Sequence, residues 1–322
     1  MKLTIIIPVY NVEAYIRRCL NSVCKLSSLV GEYEILVVND GTPDQSMDIV
    51  EEYTYRYPYI RIINQENRGL GAARNVALYE AQGEYVYFLD SDDSILEYGF
   101  VHLFTNGILR RPDIIVGNYV YIDQHGVECS PKHLIKGVSE LYLDGETYFN
   151  RYYVKYTNIL VVQGIYRKDF LLKNRLEFTE KIYFEDVNWM PKVLVKASNI
   201  YFRSISFYNY YLREGSIINS DYTPRKFHDI LFISEDLLEF SDSCENHITR
   251  KNIAYLAIVG LCVSIGRYLA CHSLSFEDEM KIKKILNRKV LYFFYLKFFV
   301  KVYLSFFSLV NYLLKVRYRN LK

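Results

Sequence analysis

A chain of 322 residues, 51% hydrophobic and 24% charged, is long enough to bury one large core with appendages or two separate cores, and is too apolar to be disordered. Its formal charge of +2 hides an uneven layout: residues 281–322 hold 11 Lys or Arg and no Asp or Glu, which leaves 28 basic against 37 acidic residues elsewhere, a net of −9. A nucleic-acid binder, whose positive charge spreads over the domain that docks on phosphates, is excluded by that layout, and the basic block is a separate device.

Leu3 to Ile7 is a short β-branched run closed by Pro8, which suits a buried parallel strand better than a cleaved leader, so a mature intracellular N-terminus is expected. Asn11 is then placed to cap a helix whose apolar positions Ile16, Leu20 and Val23 lie four and three apart. A second strand, Glu34 to Val38, stops at Asn39-Asp40-Gly41. The following Thr42-Pro43-Asp44-Gln45 has the pattern of a helix start, with Thr42 as the cap. A third strand around Ile60 to Ile63 leads through Asn67-Arg68-Gly69-Leu70-Gly71 into another helix, and a fourth, Glu84 to Leu89, runs into Asp90-Ser91-Asp92-Asp93. The order β-α-β-α-β-α-β predicts a mainly parallel sheet flanked by helices, with ligands at the carboxyl ends of the strands, where all four polar clusters fall. Further strands are expected over Asp113 to Tyr121, Val161 to Tyr166 and Ile200 to Leu212, with a helical stretch from about Pro224 to Cys271. The six cysteines show no C-x-x-C spacing and read as reduced thiols of a cytosolic protein.

Asp90-x-Asp92 is the sharpest local signal. Two carboxylates one residue apart repel unless a cation joins them, and oxygen-only ligation suits Mg²⁺ or Mn²⁺, which keep waters and substrate phosphates as remaining ligands. The competing reading is that these acids merely lead the next helix, with Ser94-Ile95-Leu96-Glu97 as a capping box. A dinucleotide fingerprint at Gly69-x-Gly71 is disfavoured, because its third glycine is missing and it does not follow the first strand.

The segments Ile5-Ile6-Ile7-Pro8-Val9-Tyr10-Asn11, Val38-Asn39-Asp40-Gly41-Thr42, Asn67 to Asn75, Phe88-Leu89-Asp90-Ser91-Asp92-Asp93 and Phe184-Glu185-Asp186, in that order, resemble the family-two glycosyltransferases over roughly residues 1–215. The resemblance implies a GT-A fold and inverting transfer of a single hexose or N-acetylhexosamine from a UDP-sugar to a glycan or lipid-linked glycan. It places Pro8, Val9, Tyr10 and Asn11 at the donor nucleotide through their backbone, Asp40 at the uracil, Arg74 near the diphosphate with Arg68 beside it, Ser91 among the donor-binding residues, and Arg213 over the diphosphate. Asp90 would meet the donor ribose and share Mn²⁺ or Mg²⁺ with Asp92, and the pair Glu185-Asp186 would supply Asp186 as general base. Bland alternatives stand beside these: Asp40 as a turn residue, Arg74 paired with Glu80, and the acidic pair as the cap of a helix starting near Val187. Trp189 is the only tryptophan, and either stacks on an acceptor sugar or lies in the core. No Q-x-x-R-W segment and no bundle of apolar spans resembling the processive synthases is present, which favours single-sugar addition.

From Lys297 the polar residues Lys297, Lys301, Ser305, Ser308, Asn311 and Lys315 step by threes and fours, a narrow stripe on an otherwise apolar helix. Such a helix fits the headgroup plane of a membrane, and competes with a dimerising helix and a tilted span. The expected division is therefore 1–215 catalytic, 216–280 helical extension and 281–322 basic amphipathic helices, on the cytoplasmic face of a cell membrane, with a homodimer possible. Two other classes remain open: a glycan or nucleotide-sugar binding module without catalysis, and a nucleotidyltransferase, which would release pyrophosphate instead of UDP.

Overall fold

The computed structural model describes residues 1–26, 29, 31–129, 135, 137–156, 160–212 and 221–288. Two compact units divide at Ser220–Asp221. The basic stripe and Arg213 lie outside the described residues.

The first unit opens with β1 (Leu3–Val9), α1 (Glu13–Val23), β2 (Tyr33–Asp40), α2 (Ser46–Thr54), β3 (Ile60–Gln65), α3 (Leu70–Glu80) and β4 (Tyr85–Phe88). Every residue of β1 is buried, as a strand covered on both faces requires. It pairs in parallel with β2, from Leu3 opposite Tyr33 to Val9 opposite Asn39, and with β4 on its other side. The chain continues through β5 (Ser94–Ile95), α4 (Glu97–Gly107), β6 (Ile114–Ile122), β7 (Glu128–Cys129), β8 (Glu140–Leu143), the short helices α5 (Gly145–Tyr148) and α6 (Val154–Tyr156), β9 (Gly164–Arg167), α7 (Lys168–Lys173), α8 (Glu185–Lys196) and β10 (Ile200–Tyr211). Sheet order is β3-β2-β1-β4-β9-β6-β10-β5, with β7 on β6 and β8 on β10. The sheet is parallel through β3-β2-β1-β4 and changes direction at β9, which lies antiparallel to both β4 and β6. Asp113 sets that junction: its buried carboxylate accepts from the amides of Ser198 (2.6 Å) and Asn199 (3.3 Å) and from Arg167 (2.5 Å), aligning the starts of β6 and β10 with β9.

Three helix starts differ from expectation. α1 begins at Glu13 rather than at an Asn11 cap; Asn11 takes a positive φ of 54°, and the first amides are received by the next crossover, Asn11 N by Thr42 Oγ1, Val12 N by Ser46 Oγ and Glu13 N by Asp44 Oδ2. α2 begins at Ser46, so Thr42 is not its cap; Asp44 Oδ1 accepts from Ser46 N instead. Asp44 is held at about pKa 2, hydrogen bonds from Ser46, Thr42 and the Glu13 amide outweighing the opposing effect of its burial. Ser94 and Ile95 form no capping box. They are a strand paired with Asn209 and Tyr208, and tertiary pairing overrides the local pattern.

The second unit contains α9 (Pro224–Ser243), α10 (His247–Cys271) and α11 (Phe276–Arg288). The single helical stretch expected to Cys271 is broken at residues 244–246, where Asn246 caps α10 by accepting from Ile248 N and Thr249 N. Phe227 and Tyr268 stack at 4.3 Å to join α9 with α10, and His228 meets Asp278 of α11 at 3.0 Å. Because α11 runs through residue 280, no border falls there. α10 is long and apolar enough to cross a membrane by length and composition, with 44% of its most apolar window buried within the fold. All six cysteines are free thiols.

Candidate active site

The site gathers where β1, β2, β3 and β4 end. Pro8 and Val9 are buried within β1 and offer only backbone there, whereas Tyr10 and Asn11 are exposed on the rim. Asp40 is neither a simple turn residue nor an open hydrogen-bonding group. Its carboxylate, 3% exposed, accepts from Gln65 Nε2 (2.6 Å), Arg68 N (2.8 Å) and Gly69 N (2.9 Å), so it builds the loop into α3. Gly69 sits there at φ 87°, ψ 166°, a backbone region that only glycine adopts without strain. Arg68 turns outward to Glu180 at 2.7 Å.

α3 then brings the distant acids to β4. On a helix, positions 71, 74, 75 and 78 share a face. At Gly71 a Cβ would stand 2.7 Å from the Thr179 carbonyl, so only glycine lets the segment around Thr179 approach this closely. Asn75 clasps the same segment by donating to Phe178 O (2.9 Å) and accepting from Phe178 N (2.8 Å). Behind it Trp189 stacks on Phe178 at 4.3 Å and donates to Leu176 O; it is a 2% exposed core residue and does not stack on an acceptor.

Arg74, also on that face, is 3% exposed and joins the two acidic clusters: Nη2 meets Asp90 Oδ1 at 2.8 Å and Nη1 meets Glu185 Oε1 at 2.6 Å. Both terminal nitrogens are engaged by carboxylates, so Arg74 is the buried counter-ion of the two clusters. Glu80 is paired with Arg61 and not with Arg74. α8 starts at Glu185, two residues before the expected position, from a Phe184 held in the left-handed region at φ 63°. That strained residue aims Glu185 inward to Arg74 and leaves Asp186 half-buried beside it.

The loop after β4 is tied down on several sides. Asp93, read from sequence only as a helix leader, is 3% exposed; it accepts from the Tyr208 hydroxyl and from Tyr211 N at 2.8 Å, fastening the loop to β10. Ser91 is buried, and Asp90 and Asp92 are half-buried. Burial raises the pKa of Asp90, with Arg74 opposing and Asp92 reinforcing it, and raises Asp93 well above the usual carboxylate range, with the charges of Asp92 and Asp90 adding to it. Burial likewise pushes Glu185 to about 7 and raises Asp186, against the pull of Arg74 in both cases.

Asp90, Glu185 and Asp186 thus surround one buried guanidinium, with Asp92 and Asp93 on the same loop as Asp90. Among the described residues no three His, Cys, Asp or Glu side chains form a ready metal cage. The oxygen-only pair Asp90 and Asp92, in surplus negative charge, fits a hard cation that completes its shell with water and phosphate oxygens.

Replacing Arg74 by Met strips these acids of their counter-charge, and breaking a buried pair of this kind costs ~3–5 kcal/mol. Glu185 titrates near 7 in the fold against 4.5 for a free glutamate, so the folded chain holds the extra proton between those values and this group's contribution to stability falls as pH rises through them. Urea denaturation at about pH 5 and about pH 8 is expected to show that fall in the parent chain and a steeper one in Arg74→Met.

The family described as Glycosyl transferase family 2 matches residues 4–173. Among curated proteins, the glycosyltransferase GlyA of Streptococcus pneumoniae is 32% identical over 232 residues, 67% of this chain and 31% of the relative. The uncharacterized glycosyltransferase YibD of Escherichia coli is 28% identical over 67% of this chain and 63% of its own length. The chain therefore spans about a third of the first relative and under two thirds of the second. A crystal structure of S. aureus TarS 1–349 in complex with UDP-GlcNAc superposes with a TM-score of 0.65 at 24% identity, over 91% of this chain and 81% of that one, a likeness of fold. With the family's motif residues folded onto one rim of a GT-A sheet and the family match covering more than half of its length, the chain belongs to glycosyl transferase family 2.

Proposed function

We propose that the protein transfers a single sugar from a UDP-sugar to a hydroxyl of a glycan or lipid-linked glycan, with inversion, and that Asp186 is the general base. The observation that carries this reading is the Arg74 bridge, which brings the loop of Asp90 and Asp92 and the pair Glu185-Asp186 to one place. The UDP-GlcNAc held by TarS, a neighbour in fold, supports a uridine nucleotide as donor.

In this reaction Asp186 takes the proton of the acceptor hydroxyl as that oxygen bonds to the anomeric carbon, and the bond from that carbon to the nucleoside diphosphate breaks on the opposite face. The raised pKa of Asp186 suits the task, because a base works best when its pKa approaches the operating pH. Asp186 Oδ1 accepts from Val187 N at 2.8 Å, which fixes the carboxylate against the first turn of α8. Glu185, turned toward Arg74, positions that turn. A Mn²⁺ or Mg²⁺ held by Asp92 with Asp90 would offset the charge of the departing diphosphate. The basic segment of residues 281–322, with its stripe from Lys297 to Lys315, we assign to the cytoplasmic surface of a membrane, where a lipid-linked acceptor would be met.

A panel of nucleotide sugars assayed with Mn²⁺, Mg²⁺ or chelator is expected to release UDP only with a uridine donor and a cation; pyrophosphate as product would identify a nucleotidyltransferase instead. Asp186→Asn is expected to lower turnover by ~10²–10⁴-fold while isothermal titration finds donor affinity unchanged. If affinity for the UDP-sugar falls with turnover, Asp186 is not the base. Truncation after Arg288 is expected to move the protein from the membrane pellet to the supernatant, and a truncated chain still found in the pellet would refute anchoring by the tail.

A further inference from the structure

Arg18, on α1, stands against the most acidic loop of the protein yet pairs with no carboxylate among the described residues. Its Nη2 donates to the backbone carbonyl of Asp92 at 2.5 Å, its guanidinium carbon lies 3.4 Å from the centre of the Tyr211 ring, and its Nε is buried with no hydrogen-bond partner. A guanidinium near carboxylates ordinarily takes one through two parallel hydrogen bonds. Here the close approach to the Tyr211 ring directs one donor to a peptide oxygen instead.

That oxygen belongs to the peptide joining Asp92 to Asp93. Fixing its plane fixes the direction in which Asp92 leaves the backbone. On the far side of the same peptide, the Asp93 carboxylate is fastened to Tyr208 and to the amide of Tyr211, the residue whose ring underlies Arg18. Ser22 Oγ, also on α1, receives Ile95 N at 3.1 Å and closes the loop's end. Arg18 therefore completes a clamp of α1, the loop and the last residues of β10.

We infer that Arg18 is a positioning residue for divalent-cation binding: lying against Tyr211, it fixes the Asp92 peptide and with it the direction from which the Asp92 side chain leaves the loop. This rests on the reading that Asp92 and Asp90 take Mn²⁺ or Mg²⁺.

The test is Mn²⁺ binding by the full chain in the presence of UDP, followed by electron paramagnetic resonance of the free ion, with Asp92→Asn as a reference for loss of the site. Arg18→Met is expected to raise the apparent dissociation constant for Mn²⁺ about tenfold, the scale of one charge-assisted hydrogen bond, with UDP affinity in chelator unchanged. Tyr211→Leu, which removes the ring and keeps the guanidinium, is expected to raise it by a smaller factor, and Arg18→Lys to recover part of the loss. A residue serving stability alone would lower the melting temperature and leave the Mn²⁺ titration in place. Unchanged Mn²⁺ affinity in folded Arg18→Met overturns the inference and leaves the cation site intact, whereas a parent chain that binds no Mn²⁺ with UDP overturns both. Should Arg18→Met fail to fold, unchanged Mn²⁺ affinity in Tyr211→Leu overturns the inference by itself.

Discussion

One buried guanidinium organises the site. Arg74 is 3% exposed, and its two terminal nitrogens are taken by carboxylates that lie 16 and 111 residues further along the chain. Desolvating an arginine is tolerable only with such partners, and the reverse holds for Asp90 and Glu185. Each of the three groups therefore requires the others to be where they are. The chain satisfies that demand with α3, whose inward face carries Gly71 for close approach, Arg74 for charge and Asn75 for a two-bond clasp of Phe178.

Around that centre, several of the site's acids also hold the scaffold together. Asp40 receives two loop amides and a glutamine, Asp44 receives the start of α1 and of α2, and Asp93 holds β10. Carboxylates suit this work because each offers two oxygens to several donors, and a buried loop has few other ways to satisfy its amides. Asp90, Asp92 and Asp186 remain at half-buried positions, where a cation or a substrate hydroxyl can be met. The raised pKa values of Asp90 and Asp186 express the same fact in energetic form, since desolvation disfavours the charged state of both and repulsion from Asp92 adds to it at Asp90.

Family membership and fold accord with this division of labour. The match over residues 4–173 covers the parallel half of the sheet and stops short of Glu185-Asp186, which lies on the segment that α3 draws in. Asp40, Arg74, Asp90 and Asp92 thus come from the matched part. The proposed base comes from beyond it and depends on α3 for its place.

The sequence by itself determined the alternation of strands and helices, the four polar clusters at strand ends and the family. Those features are written in local terms: β-branched runs, a proline after β1, and short motifs in fixed order. It could not determine which acids are taken up by the protein's own donors and which stay half-buried, because Asp40, Asp93 and Asp186 look alike in a string of letters. Nor did it show that Thr42 and Ser94 would yield their capping patterns to tertiary partners, or that Trp189 would pack on Phe178. Arg74 carried only a hint, in the spacing of Gly71, Arg74, Asn75 and Leu78, and Arg18 carried none. Only the tertiary structure decided these, because the partner of each group is distant in sequence, and the energy of a buried charge depends on what lies within a few ångströms of it.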